Sequence, residues 1–419
     1  MLIKNTRLIN PATGFDDITD ILIDGDTIKE ISKNIKSNET EIIDGTGLTV
    51  FPGLVDEHVH FRDPGFTHKE DIYTGAKAAA AGGFTTIILM GNTKPCTDNE
   101  ETIKYVINKG KETDINIHTV GTITKDLKGK ELTDMEALKN AGAAGFSDDG
   151  IPIMDEELLR KAFTVAKSLD MPVSLHEEDP SFITNNGVNA GSVAEKLGIK
   201  GSPREAEISL IKRDVEIALE TGVSLNVQHI STKEGVEIIR QARKRGLNIH
   251  AEATPHHFTL TDEAVLKHGT LAKMNPPLRK EEDRLAIIEG LKDGTIEIIA
   301  TDHAPHSKDE KNKPITEAPS GILGLETSLA LGITELVKKG YLTLNELADK
   351  MTVSPAKLYH MEDKIASVEV GRKADLCIFD ENEKWVVTEY KSKSENSPFT
   401  GMELTGKVKY TICNGKVIS

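Results

Sequence analysis

The sequence predicts an α/β protein: a TIM-like (β/α)8 barrel with a small β-sandwich domain formed by the N- and C-terminal segments. Three observations predict it. Eight short runs rich in Ile, Val and Thr recur along the middle of the chain, each followed by a helical pattern, as parallel strands covered on both faces require. The two ends instead read as short strands separated by turns, which suits one small domain assembled from distant segments. Polar residues collect at the C-terminal ends of the apolar runs, the end at which barrels of this kind carry their chemistry.

Taken in order, Met1–Ile9 and Asp20–Ile23 are strand-like, Gly25-Asp26 is a turn, and Thr27–Ile31 continues the pattern. These place residues 1–50 in the β domain. The barrel is expected over 51–365, its strands being Thr49–His58, Thr85–Met90, Ile115–Val120, Ala144–Ser147, Val173–His176, Ser224–His229, Asn248–Ala253 and Glu297–Ala300. Residues 366–419 return to the β domain through Ala374–Asp380, Lys384–Thr388, Gly406–Ile412 and Gly415–Ile418.

Composition narrows the function classes. A chain of 419 residues with 38% hydrophobic content has ample material for a large core. A net charge of -16 argues against nucleic acid or an anionic membrane as the main partner, and an anionic small substrate would need a local cluster of cations. No apolar run is long enough for a signal peptide or a membrane span. The three cysteines, Cys96, Cys377 and Cys413, form no CxxC pair and no disulfide framework. A cytoplasmic location is the expectation.

The chemistry lies in the residues that end the strands. His58 and His60 are two apart on a strand, so both imidazoles face the same side and can chelate one ion. His176 and His229 end the fifth and sixth runs and supply nitrogen donors for a second ion, while Asp302 ends the eighth and adds a hard anionic ligand. Imidazole with carboxylate suits zinc or a neighbouring first-row metal. Two ions need a bridging anion, and Ser147-Asp148-Asp149-Gly150 on the fourth strand can provide one. His118 and His250 fall inside strands and read as packed or supporting groups.

At these residues the resemblance to a known family is close. Asp56-Glu57-His58-Val59-His60-Phe61-Arg62-Asp63-Pro64-Gly65 resembles the first motif of dihydroorotases in the amidohydrolase superfamily. Ala300-Thr301-Asp302-His303-Ala304-Pro305-His306, with Lys311 downstream, resembles their second. Met274–Arg279 and Gly321–Glu326 also look like family segments, and the similarity runs from end to end. Many relatives bridge two metals with a carboxylated lysine on the fourth strand. This chain has none there and is similar to the branch that carries aspartate, which assigns the bridge to Asp149, with Asp148 as the alternative.

The resemblance implies two zinc ions, the second held less firmly, and interconversion of N-carbamoyl-L-aspartate and L-dihydroorotate with Asp302 as general acid and base. Arg62, two residues beyond His60, can pair with a carboxylate; the plainer alternative is a salt bridge with Asp63 or Glu70. Asn92 and His306 resemble the family's other carboxylate contacts, Asn275 its contact to the ring amide, and Ser320-Gly321 its substrate-contacting backbone. His60 is also expected to touch substrate. The polar stretch 307–320 suits either a mobile lid or a solvated loop. A homodimer and association with aspartate transcarbamoylase are further family expectations. The competing readings are an allantoinase or hydantoinase, and a non-catalytic partner of aspartate transcarbamoylase.

Overall fold

Gly53 is where the chain passes from one sheet into another. In the computed structural model, which describes residues 1–36, 41–245 and 248–419, the run expected as one strand from Thr49 to His58 is divided there. Its first part, Thr49–Pro52, pairs in parallel with Leu2–Asn10 and antiparallel with Leu376–Val386. Its second part, Leu54–Val59, pairs with Phe84–Leu89 and opens the barrel. A Cβ on Gly53 would come within 2.1 Å of Thr85 Oγ1, so the crossing admits only glycine.

The described strands are therefore β1 (Leu2–Asn10), β2 (Phe15–Asp24), β3 (Thr27–Ser32), β4 (Ile42–Asp44), β5 (Thr49–Pro52), β6 (Leu54–Val59), β7 (Phe84–Leu89), β8 (Asn116–Thr119), β9 (Val173–Leu175), β10 (Leu225–Val227), β11 (Ile249–Ala253), β12 (Ile298–Ile299), β13 (Leu376–Val386), β14 (Glu403–Cys413) and β15 (Lys416–Val417). The two chain ends form one sheet in the order β15-β14-β13-β5-β1-β2-β3, with β4 also on β1. A bridge between Thr27 and Lys373 brings its β3 edge to the segment leading into β13, and the sheet curls over a core that includes Ile3, Ile21, Ile28, Val50, Leu376 and Ile412. The two strands expected at Ala374–Asp380 and Lys384–Thr388 are the single strand β13, whose register shifts between Asp380 and Lys384.

Parallel pairing joins β6-β7-β8 and β9-β10-β11-β12. Two junctions close the ring. Phe146 bridges Gly121 on one side and Val173 on the other, and Val59 bridges His303, with His60 N donating to His303 O at 2.9 Å. The fourth strand, expected over Ala144–Ser147, thus narrows to one bridged residue. Its neighbours still bond across: Ala144 N donates to Thr119 O and Ser147 N to Gly121 O.

The outer helices follow from amphipathic spacing. In Glu156–Ser168, Asp155 caps the first turn, and Leu159, Ala162, Phe163 and Ala166 are buried at intervals of three and four. Each such helix returns the chain to the same end of the barrel. Successive strands therefore present their C-terminal residues around one mouth.

Candidate metal centre and substrate pocket

At that mouth the structure brings His58, His60, Asp149, His176, His229 and Asp302 together, all buried. Two groups, His58 with Asp149 and His229, and His58 with His60 and Asp302, each place their donor atoms within 4.8 Å of one another. The individual spacings are 3.6 Å from His58 Nε2 to Asp149 Oδ1 and to Asp302 Oδ1, 3.0 Å from His60 Nε2 to Asp302 Oδ1, and 3.4 Å from His60 Nε2 to Asp149 Oδ2. His176 Nδ1 lies 3.8 Å from Asp149 Oδ1 and 2.9 Å from His229 Nε2. Ligands about 2.0–2.2 Å from a tetrahedral ion stand roughly 3.3–3.6 Å apart, so this donor set fits divalent metal.

Asp149 sits at the centre of the cluster. One carboxylate oxygen faces His58 and His176, and the other faces His60 and accepts from Asn92 Nδ2 at 3.1 Å. Burial pushes its carboxyl up, but His58, His60, His176 and Arg62 outweigh that and hold it below the usual carboxylate range. Asp148 is committed elsewhere, accepting from the Ile123 and Thr124 amides and the Thr124 hydroxyl. It ties down the loop from which Asp149 projects.

Three of the four inward-facing imidazoles are oriented from behind. His58 Nδ1 meets Glu252 Oε1 at 2.5 Å, His60 Nδ1 donates to Asn92 Oδ1 at 2.9 Å, and His176 Nε2 meets Glu178 Oε2 at 3.1 Å. Such partners fix the tautomer and raise ligand basicity. Burial disfavours a charged His58, yet Glu252, Asp302 and Asp149 together push it up to about 10. His58 Nε2 and His229 Nδ1 are buried with no hydrogen-bond partner. A pocket that draws a proton onto an imidazole and leaves ring nitrogens unpaired is one that a metal cation completes.

Glu252 and Glu178 were not singled out from the sequence. Glu252 is a fully buried acid between alanines in β11, and Glu178 follows His176 by two residues. Those were the available signals. His250, on the other hand, bonds Glu297 and Asn248, and His118 lines a separate cavity of about 340 Å³ beside Ile107 and Asn116.

Beside the metal cluster lies a second group of residues. The half-buried Arg62 donates through Nε to Pro305 O at 3.2 Å, and its Nη2 faces His306 Nε2 at 3.3 Å. Its two plainer partners are taken: Asp63 pairs with Lys109 at 2.7 Å and Glu70 with His303 at 3.1 Å. No carboxylate among the described residues forms an ion pair with Arg62. His306 Nε2 donates to Ser320 O at 2.8 Å, which leaves Nδ1 as the acceptor facing Lys69 Nζ at 3.4 Å. Burial and the charges of Arg62, Lys69 and Lys311 keep this imidazole neutral, far below its ordinary range.

Asn275 Oδ1 and Ser320 Oγ are buried without partners. Gly321 has φ +120°, and a Cβ there would meet the Ala304 side chain at 2.6 Å and His306 Nε2 at 3.3 Å. Arg62, His229 and Asp302 also hold positive φ, at 53°, 32° and 49°. Strained backbone at non-glycine residues tends to gather where side chains must be aimed.

The amidohydrolase family matches this chain over residues 49–418. The dihydroorotase of Clostridioides difficile (strain 630) is 56% identical over 419 residues, covering 100% of this chain and 99% of the relative. Those of Clostridium acetobutylicum and Lactococcus lactis subsp. lactis are 52% and 51% identical, again across 100% of this chain and 99% of theirs. Among solved structures, the L-hydantoinase (dihydropyrimidinase) from Arthrobacter aurescens aligns with a TM-score of 0.89 at 28% identity, over 100% of this chain and 95% of that one. A D-hydantoinase aligns with a TM-score of 0.88 at 26% identity, over 100% and 94%.

Proposed function

We infer that this chain, which belongs to the amidohydrolase family, is a dihydroorotase that interconverts N-carbamoyl-L-aspartate and L-dihydroorotate in pyrimidine biosynthesis. The observation that carries the substrate assignment is Arg62: a guanidinium without a carboxylate partner among the described residues, beside the metal cluster and facing His306. Neutral cyclic amides such as hydantoin would leave that charge uncompensated. The ring carboxylate of dihydroorotate compensates it.

His58, His60 and Asp302 would hold one zinc ion, His176 and His229 a second, and Asp149 would bridge them. Divalent metal at such a site lowers the pKa of water and polarises a carbonyl oxygen. Asp302, 3.0 Å from His60 Nε2 and next to the substrate wall, takes the proton of the attacking water and delivers it to the departing amide nitrogen. In ring closure the same carboxylate takes a proton from the ureido nitrogen as the C–N bond forms and returns it to the carboxyl oxygen that leaves as water. Arg62 binds the substrate carboxylate with the second amide hydrogen of Asn92, His306 and the Ser320-Gly321 backbone shape its pocket, and Asn275 Oδ1 accepts from the ring amide. An aspartate bridge is a weaker tether than a carbamate, so the second ion is the more easily lost.

The test is turnover by the purified protein. It should hydrolyse L-dihydroorotate at alkaline pH and form it from N-carbamoyl-L-aspartate at acidic pH. Faster turnover of hydantoin or allantoin would overturn the assignment.

A further inference from the structure

Two lysines near the substrate wall are almost fully buried, with side chains that meet no carboxylate. Lys273 is 2% and Lys311 3% exposed. Burying an ammonium is costly unless polar groups solvate it, and burial pulls Lys273 below its ordinary range and Lys311 down to about 7. Here carbonyls solvate both. Lys273 Nζ donates to Ile315 O and Ala318 O, both at 2.7 Å, and Lys311 Nζ to Pro319 O and Gly321 O, both at 2.9 Å. Neither lysine forms an ion pair among the described residues.

All four acceptors lie in the span 315–321, and the two that Lys311 holds flank Ser320. The Ser320 carbonyl is the acceptor for His306 Nε2, whose ring faces Arg62. Further contacts hold the same peptide: Gly321 N donates to Lys273 O at 2.9 Å, and Asn396 Nδ2 to Gly321 O at 3.1 Å. Gly187 packs against the other side, where a Cβ would meet Ser320 Oγ at 2.5 Å and Lys273 Cγ at 2.7 Å. So many directed anchors suit a fixed wall better than a lid that opens and closes.

We propose that Lys273 and Lys311 are positioning residues for the carboxylate side of the substrate: their amino groups, by donating to backbone carbonyls, clamp residues 315–321 into a preformed wall that holds Ser320, and through it His306, in place before substrate binds. The proposal rests on the dihydroorotase reading above. It assigns to two buried lysines a task that neither performs by touching substrate. Misplacing a binding group by about 1 Å can cost on the order of 100-fold, so loosening the clamp should weaken recognition of the carboxylate more than the chemical step.

Lys311→Met, similar in length and without charge, tests this. Its KM for L-dihydroorotate should rise about tenfold or more while kcat changes less than about threefold and zinc content stays that of the wild type. A fall in kcat at unchanged KM, or no change in either, would overturn the clamp. A second measurement needs no variant. Amide hydrogen exchange over residues 312–322 of the wild-type protein should differ less than about twofold with and without an equilibrium mixture of the two substrates. Slowing of about tenfold on binding would identify a closing lid and sink the proposal. Wild-type protein that ignores dihydroorotate would overturn the activity reading itself, whereas normal wild-type kinetics with an unaffected Lys311→Met variant would overturn the clamp alone.

Discussion

His58 Nδ1 lies 2.5 Å from Glu252 Oε1, and this contact turns the other ring nitrogen toward Asp149 and Asp302, each 3.6 Å away. Glu252 also accepts from the His229 amide at 3.0 Å, so one carboxylate orients two strands of the cluster. Glu252→Gln keeps the shape and removes the charge that makes His58 basic. Zinc affinity should fall about 10–100-fold, read as loss of metal to a competing chelator. Unchanged competition would remove Glu252 from the supporting role.

Asp302 Oδ1 lies 3.0 Å from His60 Nε2 at the barrel mouth, on a backbone held at a left-handed φ of 49°. Asp302→Asn preserves volume and one potential ligand oxygen but cannot take a proton. We expect kcat to drop about 10²–10⁴-fold in both reaction directions with zinc still bound. Stoichiometric metal together with near-normal turnover would show that another group moves the proton.

For Arg62, the expected signature is in KM. Arg62→Met removes the charge, and with it the donor to Pro305 O, while keeping a side chain of similar reach. The loss of a paired, partly buried hydrogen bond to a carboxylate is worth about 2–4 kcal/mol, so kcat/KM for dihydroorotate should fall at least about 30-fold. Metal content should hold. An unchanged KM would take Arg62 out of the substrate pocket.

Much of this arrangement was legible in the sequence because strand ends carry it locally. His58 and His60 sit two apart on one strand, and a barrel places the ends of its other strands at the same mouth. The division at Gly53 was less legible, since an unbroken apolar run gives no sign that its two halves belong to different sheets; that depends on Thr85 packing against the glycine. The supporting acids were hidden for a related reason. Glu252 reaches His58 only through the register of β11 against the rest of the ring, a long-range relationship that no local spacing encodes. Lys273 looks like an ordinary surface lysine, and Lys311 stands out only as part of a family motif, until the fold wraps a loop's carbonyls around both. Asp148 and Asp149 are chemically alike in the sequence, and the side on which Thr124 lies distinguishes them.

The narrowest part of the barrel gives the last prediction. Phe146 pairs with Gly121 on one side and Val173 on the other, is fully buried, and stands three residues before Asp149. Phe146→Ala removes a large side chain where the backbone on both sides is already committed to neighbours, so collapse around the cavity is limited. The cost should be about 3–5 kcal/mol, measured as a lower midpoint in urea unfolding at unchanged slope. Phe146→Leu, closer in volume, should cost about 1–1.5 kcal/mol. Because Asp149 hangs from this junction, the alanine variant should also bind zinc less tightly than its loss of stability alone explains. Wild-type zinc affinity in a destabilised but folded Phe146→Ala protein would show instead that Asp148, through Thr124, holds the loop on its own.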